Sequence, residues 1–143
     1  MNAIYETSVT STGGRTGRSV AEDGRLDVQL DTPQALGGND GPGTNPEQLF
    51  AAGYSACFIG ALKFVAQQEK LALPEDVSVT ATIGIGQNTK GEGFAISADL
   101  VVDIPGFEES IIEELVETAH KVCPYSNATR GNIDITTRIR SAE

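Results

Sequence analysis

Histidine and cysteine are scarce in this sequence, which limits the metal chemistry open to it. The 143 residues include one histidine, His120, and two cysteines, Cys57 and Cys123. A structural zinc site takes four cysteine or histidine ligands, commonly with closely spaced cysteines, and the sequence has no Cys-x-x-Cys pair. We therefore predict that the protein binds no metal.

Basic residues are also few. Ten lysines and arginines stand against twenty aspartates and glutamates, which gives a formal net charge of −10. Nucleic acids and anionic lipids are negatively charged and repel an acidic surface. The composition therefore argues against nucleic acid as a partner, and no basic patch or helix-turn-helix pattern offsets it.

Long apolar runs are the third feature that is missing. No segment reaches the ~18 uncharged apolar residues expected of a membrane helix. The N-terminal residues contain Glu6 and no apolar run of the kind that marks a signal peptide. We therefore expect a cytoplasmic protein without a membrane partner. In that reducing compartment a cysteine pair is more often catalytic, metal-binding or redox-sensing than a permanent disulfide.

The length suits a single domain spanning residues 1–143. Alternating apolar residues and turn signals predict strands at 3–10, 18–21, 26–30, 77–85, 94–104 and 133–139. Helices are predicted at 46–70, after the capping residue Asn45, and at 108–123, before Pro124. The order βββ-α-ββ-α-β, with hairpin-joined strands, predicts an α+β fold with antiparallel sheets.

The first predicted helix has no charged residue over positions 48–62. A surface helix shows a polar face, so this helix should be buried on all sides. Two arrangements remain open: a core helix within one subunit, or a helix shared with a second subunit in a two-fold dimer. Small side chains along the helix permit close approach by another backbone: Ala51, Ala52, Gly53, Ala56 and Gly60.

The two cysteines occupy different positions in the predicted fold. Cys57 lies in the middle of the first helix, and Cys123 lies at the end of the second, where Pro124 turns the chain. A buried free cysteine often acts only as a small hydrophobic side chain. The alternative is a redox pair, because one buried cysteine and one at a helix end suit reversible disulfide formation.

Three segments resemble the organic hydroperoxide resistance proteins, the Ohr branch of the Ohr/OsmC superfamily. Residues 45–58, with Cys57, are similar to the first cysteine motif of the family, and residues 122–132, with Cys123, to the second. Residues 13–18 resemble its N-terminal arginine segment. The likeness covers essentially the whole chain.

The resemblance implies an OsmC/Ohr-like intertwined homodimer with a buried central helix and active sites at the subunit interface. It implies that Cys57 is the peroxidatic cysteine and Cys123 the resolving one, and that Arg15 and Glu47 are the catalytic arginine and glutamate. It implies no bound cofactor. Electrons would come from dihydrolipoamide or from a lipoylated protein, which would be a partner.

These four residues suit the implied chemistry. A thiolate, not a thiol, attacks the O–O bond, and burial of Cys57 disfavours its charged form. Arg15 beside the sulfur would favour the thiolate, with Glu47 holding the guanidinium by two-point pairing. Glu47 and Cys57 lie about 15 Å apart along one helix, too far to share one guanidinium. We therefore predict a site assembled in trans, with Glu47 of one subunit beside Cys57 of the other.

The expected activity is reduction of alkyl, aryl and fatty-acid hydroperoxides to alcohols. Four aromatic residues predict an apolar substrate channel, although each is equally well explained as core: Phe50, Tyr54, Phe58 and Tyr125. His120 is expected in a supporting or surface role rather than as a base. Two alternatives remain, an OsmC-like peroxidase with a broader peroxide range and a non-enzymatic redox sensor or binding module.

Overall fold

The computed structural model describes residues 1–140, which contain two three-stranded sheets and three α-helices. These residues divide into two compact units, Met1–Leu49 and the residues from Phe50 onward. The α+β class is confirmed. The assignment of residues 1–143 to a single domain stays a prediction.

The first unit is built on an antiparallel sheet of β1 (Val9–Thr12), β2 (Arg18–Ala21) and β3 (Asp27–Gln29). Gly24, in the turn between β2 and β3, has a φ of 75°, which glycine adopts without a steric penalty. The first strand begins later than predicted, at Val9, because the residues before it lack a clear alternating pattern.

The long helix α1 (Pro46–Gln68) begins where the sequence predicted and ends two residues earlier than expected. Asn45 caps it, because its Oδ1 accepts a hydrogen bond of 2.8 Å from the amide of Gln48. Pro46 follows at the first helical position, where its missing N–H costs nothing. Beyond the helix, Lys70 takes a left-handed φ of 59°.

The sheet of the second unit combines β4 (Ser78–Gln87), β5 (Phe94–Asp103) and β6 (Ile135–Ile139). β4 and β5 form the predicted antiparallel hairpin, but β6 pairs parallel with β5. The expectation of purely antiparallel sheets is therefore wrong for this pair. The chain between β5 and β6 crosses through two helices and returns to the same end of the sheet, so the next strand runs parallel.

Those two helices are α2 (Glu109–Val122) and a short helix, α3 (Pro124–Thr129). The end of α2 is confirmed, but α3 was not predicted. Proline ends one helix yet also suits the first position of the next. Cys123 between them is extended, with φ −64° and ψ 122°, as is usual for a residue before proline.

One face of α1 packs into the core of the second unit together with α2 and the inner residues of β4 and β5. Six of the 23 side chains of α1 are buried in the chain, including Tyr54 and Phe58. Ala52, Ala56 and Gly60 recur at four-residue spacing and are exposed. The expectation that α1 is buried on all sides is therefore not met within one chain.

α1 is long and apolar enough to cross a membrane by length and composition, contrary to the expectation that no segment would be. The core helix of a soluble protein has the same two properties. Here one face of α1 packs with the sheet and α2 in the core of the second unit, and 33% of its apolar window is buried.

Candidate active site

Arg15 lies in a tight turn of the first unit, on the short 3₁₀ helix Gly14–Thr16. Gly13 and Gly14 have φ values of 76° and 63°, and a Cβ built on Gly17 would lie 1.6 Å from the Thr12 carbonyl oxygen. Only glycine fits such a turn. The glycine-rich sequence around Arg15 therefore fixes the path of the backbone that presents it.

Arg15 and Glu47 form the two-point pair that the sequence predicted. The guanidinium nitrogens donate at 3.1 Å (Nη1 to Oε2) and 2.6 Å (Nη2 to Oε1). The Glu47 side chain is only 15% exposed and the Arg15 side chain is 38% exposed. The hydrogen bonds from Arg15 lower the pKa of Glu47, and the same bonds raise the pKa of Arg15. Both groups are therefore held in their charged forms.

The two cysteines meet in the second unit. Cys57 is partly buried on α1, Cys123 is completely buried between α2 and α3, and both are free thiols. The Cys123 side chain and the backbone amide of Tyr125 both lie close enough to Cys57 to affect the pKa of its thiol. The two segments that carry the cysteine motifs are thus brought together, as a redox pair requires.

The second unit favours the protonated form of Cys57. Burial raises the pKa of its thiol, as do the neighbouring charge and hydrogen bond of Cys123, while the amide of Tyr125 lowers it. Among the described residues of this unit no cation acts on the sulfur. Since the thiolate is the nucleophile, these surroundings alone do not activate Cys57.

The four aromatic residues of the predicted channel form one cluster. The Phe50 ring lies edge-on to the rings of Tyr54 and Tyr125, at centroid separations of 6.1 and 5.9 Å. Tyr54 and Phe58 are fully buried, whereas Phe50 and Tyr125 are partly exposed. The substrate-binding role stays a prediction, and in this chain only Phe50 and Tyr125 offer surface for it.

Tyr125 also packs tightly against α1. A Cβ built on Gly53 would lie 2.6 Å from the Tyr125 hydroxyl oxygen. Glycine at this position therefore lets the ring of Tyr125 lie directly against the helix backbone, one turn before Cys57.

His120 is more central than the sequence indicated. Its Nδ1 lies 2.8 Å from Ser126 Oγ, its Nε2 lies 2.8 Å from Thr137 Oγ1, and its ring lies 4.6 Å from that of Phe58. Burial, together with the charge of Arg130, lowers the pKa of His120. Ser126 was missed, because one hydroxyl in a cysteine motif that is rich in polar residues gives no local signal of a buried hydrogen bond.

Within residues 1–140 no group of three or more histidine, cysteine, aspartate or glutamate side chains is arranged to hold a metal ion. The chemistry available at the cysteines is therefore that of sulfur itself: ionisation, oxidation to a sulfenic acid and disulfide exchange.

Comparison with known proteins gives consistent matches. Residues 37–138 match the family model described as OsmC-like protein. The chain is 56% identical over 133 residues to an organic hydroperoxide resistance protein of Xanthomonas axonopodis pv. citri (strain 306), covering 93% of this chain and 92% of that protein. It is 42% identical over 134 residues to organic hydroperoxide resistance protein OhrB of Bacillus subtilis (strain 168), covering 93% and 96%.

Solved structures show the same fold. An organic hydroperoxide resistance protein from Legionella pneumophila superposes with a TM-score of 0.91 at 44% identity, covering 98% of this chain and 100% of that one. A protein from Vibrio cholerae with the same description, solved with captopril in one of its active sites, superposes with a TM-score of 0.90 at 47% identity, covering 99% and 96%.

Proposed function

The chain belongs to the OsmC/Ohr family, and we propose that it is a cytoplasmic peroxidase that reduces organic hydroperoxides to alcohols and so provides resistance to them. The observation that carries the proposal is the proximity of two free thiols, Cys57 and Cys123, contributed by separate segments of the chain. The names of the relatives support the substrate class.

In the proposed reaction the Cys57 thiolate attacks one oxygen of the hydroperoxide. An S–O bond forms, the O–O bond breaks, and the alkoxide leaves and takes up a proton to become the alcohol. Cys57 is left as a sulfenic acid. We propose that the Arg15 guanidinium, held by Glu47, favours the thiolate before the attack and the alkoxide as it leaves.

Cys123 completes the cycle by condensing with the sulfenic acid to form a disulfide and water. An external dithiol then reduces the disulfide by thiol–disulfide exchange. We propose dihydrolipoamide or a lipoylated protein as this reductant, with no cofactor bound to the enzyme. The acidic composition, at a net charge of −10, is compatible with a protein or small-molecule partner rather than nucleic acid.

We propose that the working form is a homodimer whose subunits pack through the exposed face of α1. Ala52, Ala56 and Gly60 on that face are small enough for two helix backbones to approach closely. Since Arg15 pairs with Glu47 of its own chain, and Glu47 lies ten residues before Cys57 on α1, the pair would act on the partner's Cys57.

The trans arrangement is tested by mixing subunits. A Cys57→Ser chain and a Glu47→Ala chain are each expected to form inactive homodimers, and the mixed dimer should regain about one working site because one side keeps both contributions intact. Mixed dimers without activity would contradict the trans arrangement.

A second experiment tests the proposed interface. Ala56→Arg, on the exposed face, should yield monomers in light scattering, whereas Lys63→Arg on the same helix should not.

A peroxidase assay tests the function itself. Wild type should turn over cumene hydroperoxide with dihydrolipoamide as reductant, Cys57→Ser should be inactive, and Cys123→Ser should react once and then stall or overoxidise. A strong preference for cumene hydroperoxide over hydrogen peroxide is expected from an apolar approach past Phe50 and Tyr125. Equal rates would favour the broader OsmC-like peroxidase, and disulfide formation without turnover would favour a redox sensor.

A further inference from the structure

A chain of hydrogen bonds, buried at Tyr54 and Ser126 and partly buried at His120, joins the helix of the first cysteine to the bend of the second. Tyr54 Oη lies 2.9 Å from Ser126 Oγ, Ser126 Oγ lies 2.8 Å from His120 Nδ1, and His120 Nε2 lies 2.8 Å from Thr137 Oγ1. These contacts connect α1 to α3, α3 to α2, and α2 to β6. Four separate elements are therefore held together by side-chain hydrogen bonds.

The positions of these residues along the chain relate them to the cysteines. Tyr54 lies three residues before Cys57, and His120 and Ser126 lie three residues before and after Cys123. The His120–Ser126 hydrogen bond therefore spans the extended residue at which α2 gives way to α3. The bond from Tyr54 to Ser126 then fixes that bend against α1.

Arg130 reinforces the same bend. Its guanidinium donates to the backbone carbonyl of His120, at the end of α2, and to Asn127 Oδ1 on α3. Backbone bonds also brace the bend, from the Cys123 amide to the Ala119 carbonyl and from the Asn127 amide to the Cys123 carbonyl. The bend is thus a rigid corner, and the tyrosine hydroxyl is its polar link to α1.

The network can be fully satisfied in either neutral tautomer of His120. When Nδ1 carries the proton it donates to Ser126, Ser126 donates to Tyr54, and Tyr54 donates to Thr129, which lies 3.4 Å away. When Nε2 carries the proton it donates to Thr137, and the remaining bonds reverse direction. Within the described residues no buried side-chain nitrogen or oxygen lacks a partner. Buried networks that are fully satisfied make their surroundings rigid.

We propose that the Tyr54–Ser126–His120 network is a positioning device for disulfide closure, which holds the Cys123 bend against α1 so that the sulfur of Cys123 meets the oxidised sulfur of Cys57. This inference rests on the proposed peroxidase function. In the step concerned, the thiol of Cys123 attacks the sulfenic acid of Cys57, the S–S bond forms, the S–O bond breaks, and the hydroxyl leaves with the thiol proton as water.

Closure competes with a second oxidation. A sulfenic acid that waits too long reacts with another hydroperoxide molecule and becomes a sulfinic acid. Disulfide bonds also require the two Cα atoms within a narrow range of separation. A bend that moves away from α1 would therefore slow closure and leave Cys57 open to overoxidation, while the first attack, in which Cys123 forms no bond, would not be slowed.

The test measures, for each variant, the ratio of the disulfide form to the sulfinic acid form after oxidation. Reduced protein is mixed with increasing cumene hydroperoxide, and the disulfide and sulfinic acid forms are counted by mass spectrometry. Tyr54→Phe and Ser126→Ala should each reach equal amounts of the two products at about fivefold lower hydroperoxide than wild type, the effect of losing one typical hydrogen bond. The double variant should be no worse than the more affected single variant, because both substitutions remove the same link. Tyr5→Phe, the same substitution at a residue that is 75% exposed, should match wild type.

Two further measurements separate the possible failures. The rate of sulfenic acid formation should not fall in Ser126→Ala, and unfolding curves should show that both single variants are folded. The proposal would be overturned if the variants are folded and yield the same proportions of disulfide and sulfinic acid as wild type. So would an unfolded Tyr54→Phe protein, since the network would then serve folding rather than closure. If wild type forms neither product, it is the peroxidase function that fails.

Discussion

The arginine–glutamate pair of the first unit and the cysteine pair of the second are prepared in opposite ways. Arg15 and Glu47 hold each other charged, since their hydrogen bonds lower the pKa of the carboxyl and raise that of the guanidinium. Cys57 and Cys123 lie in apolar surroundings, where burial raises the pKa of Cys57 and so favours its protonated form. In the first pair both side chains are charged, but neither is a thiol that could attack a peroxide. The second pair contains thiols, but its surroundings favour the uncharged form of Cys57.

This difference indicates what the proposed dimer would have to add, namely a positive charge beside the sulfur of Cys57. Burial protects a reactive sulfur from water but disfavours the thiolate, whereas a paired guanidinium keeps its charge at any physiological pH. The proposed chemistry needs both, so the activity should depend on the charged pair as strongly as on a residue that contacts substrate.

The largest effect is expected at the charged pair. Arg15→Gln should lower the second-order rate of Cys57 oxidation by about 100-fold, because a preorganised donor to the developing charge is lost. Stopped-flow measurement with cumene hydroperoxide gives this rate. Arg18→Gln is the matched control, since Arg18 also pairs with a carboxylate in the first unit, at 2.6 Å from Asp27, but both side chains are about half exposed. Equal losses in the two variants would contradict the assigned role.

A smaller effect is expected from tightening the second unit. Gly53→Ala places a methyl group against the Tyr125 hydroxyl, and we expect a net loss of about 1 kcal/mol, since overpacking costs about 1–3 kcal/mol and alanine regains about 1 in a helix. Chemical denaturation measures this change. In a Tyr125→Phe background most of the loss should disappear, because the atom nearest to the new methyl group is gone. An undiminished loss in that background would show that the contact is not its cause.

The smallest effect concerns His120 and pH. Because the pKa of His120 is lowered in the folded chain, the unfolded chain binds a proton more readily, and stability should fall as the pH drops below about 6.5. Denaturant midpoints measured from pH 8 to pH 5 should fall less steeply in His120→Gln than in wild type. If the midpoints of the two proteins fall equally with pH, the loss of stability in acid comes from other groups, such as the carboxylate of Glu47.

Local signals in the sequence were enough for most of the elements. Asn45 and Pro46 predicted the start of α1, and strict alternation predicted β4 and β5, because capping and side-chain period are local properties. The same local logic missed α3, since Pro124 marks both the end of one helix and the start of another. Hairpin reasoning also failed for β6, whose partner is reached through two helices.

The candidate site shows the same contrast between local signals and contacts that form only in the folded chain. The family motifs predicted four catalytic residues, and the structure brings them together as two separate pairs. The network at His120 was not predicted, because its members come from four elements that approach one another only in the folded chain. The exposed face of α1 was likewise not predicted. An uncharged stretch predicts that a helix is buried, but it does not say whether its own chain or a second chain covers it.

The most direct test is a titration of the Cys57 thiolate in the assembled protein. A Cys123→Ser background leaves one thiol, whose ionisation is followed by ultraviolet absorbance and by the pH dependence of its alkylation, with and without Arg15→Gln. We expect the sulfur to be mostly ionised at neutral pH when Arg15 is present and mostly protonated when Arg15 is replaced. A thiol that stays protonated well above neutrality in both proteins would contradict this expectation.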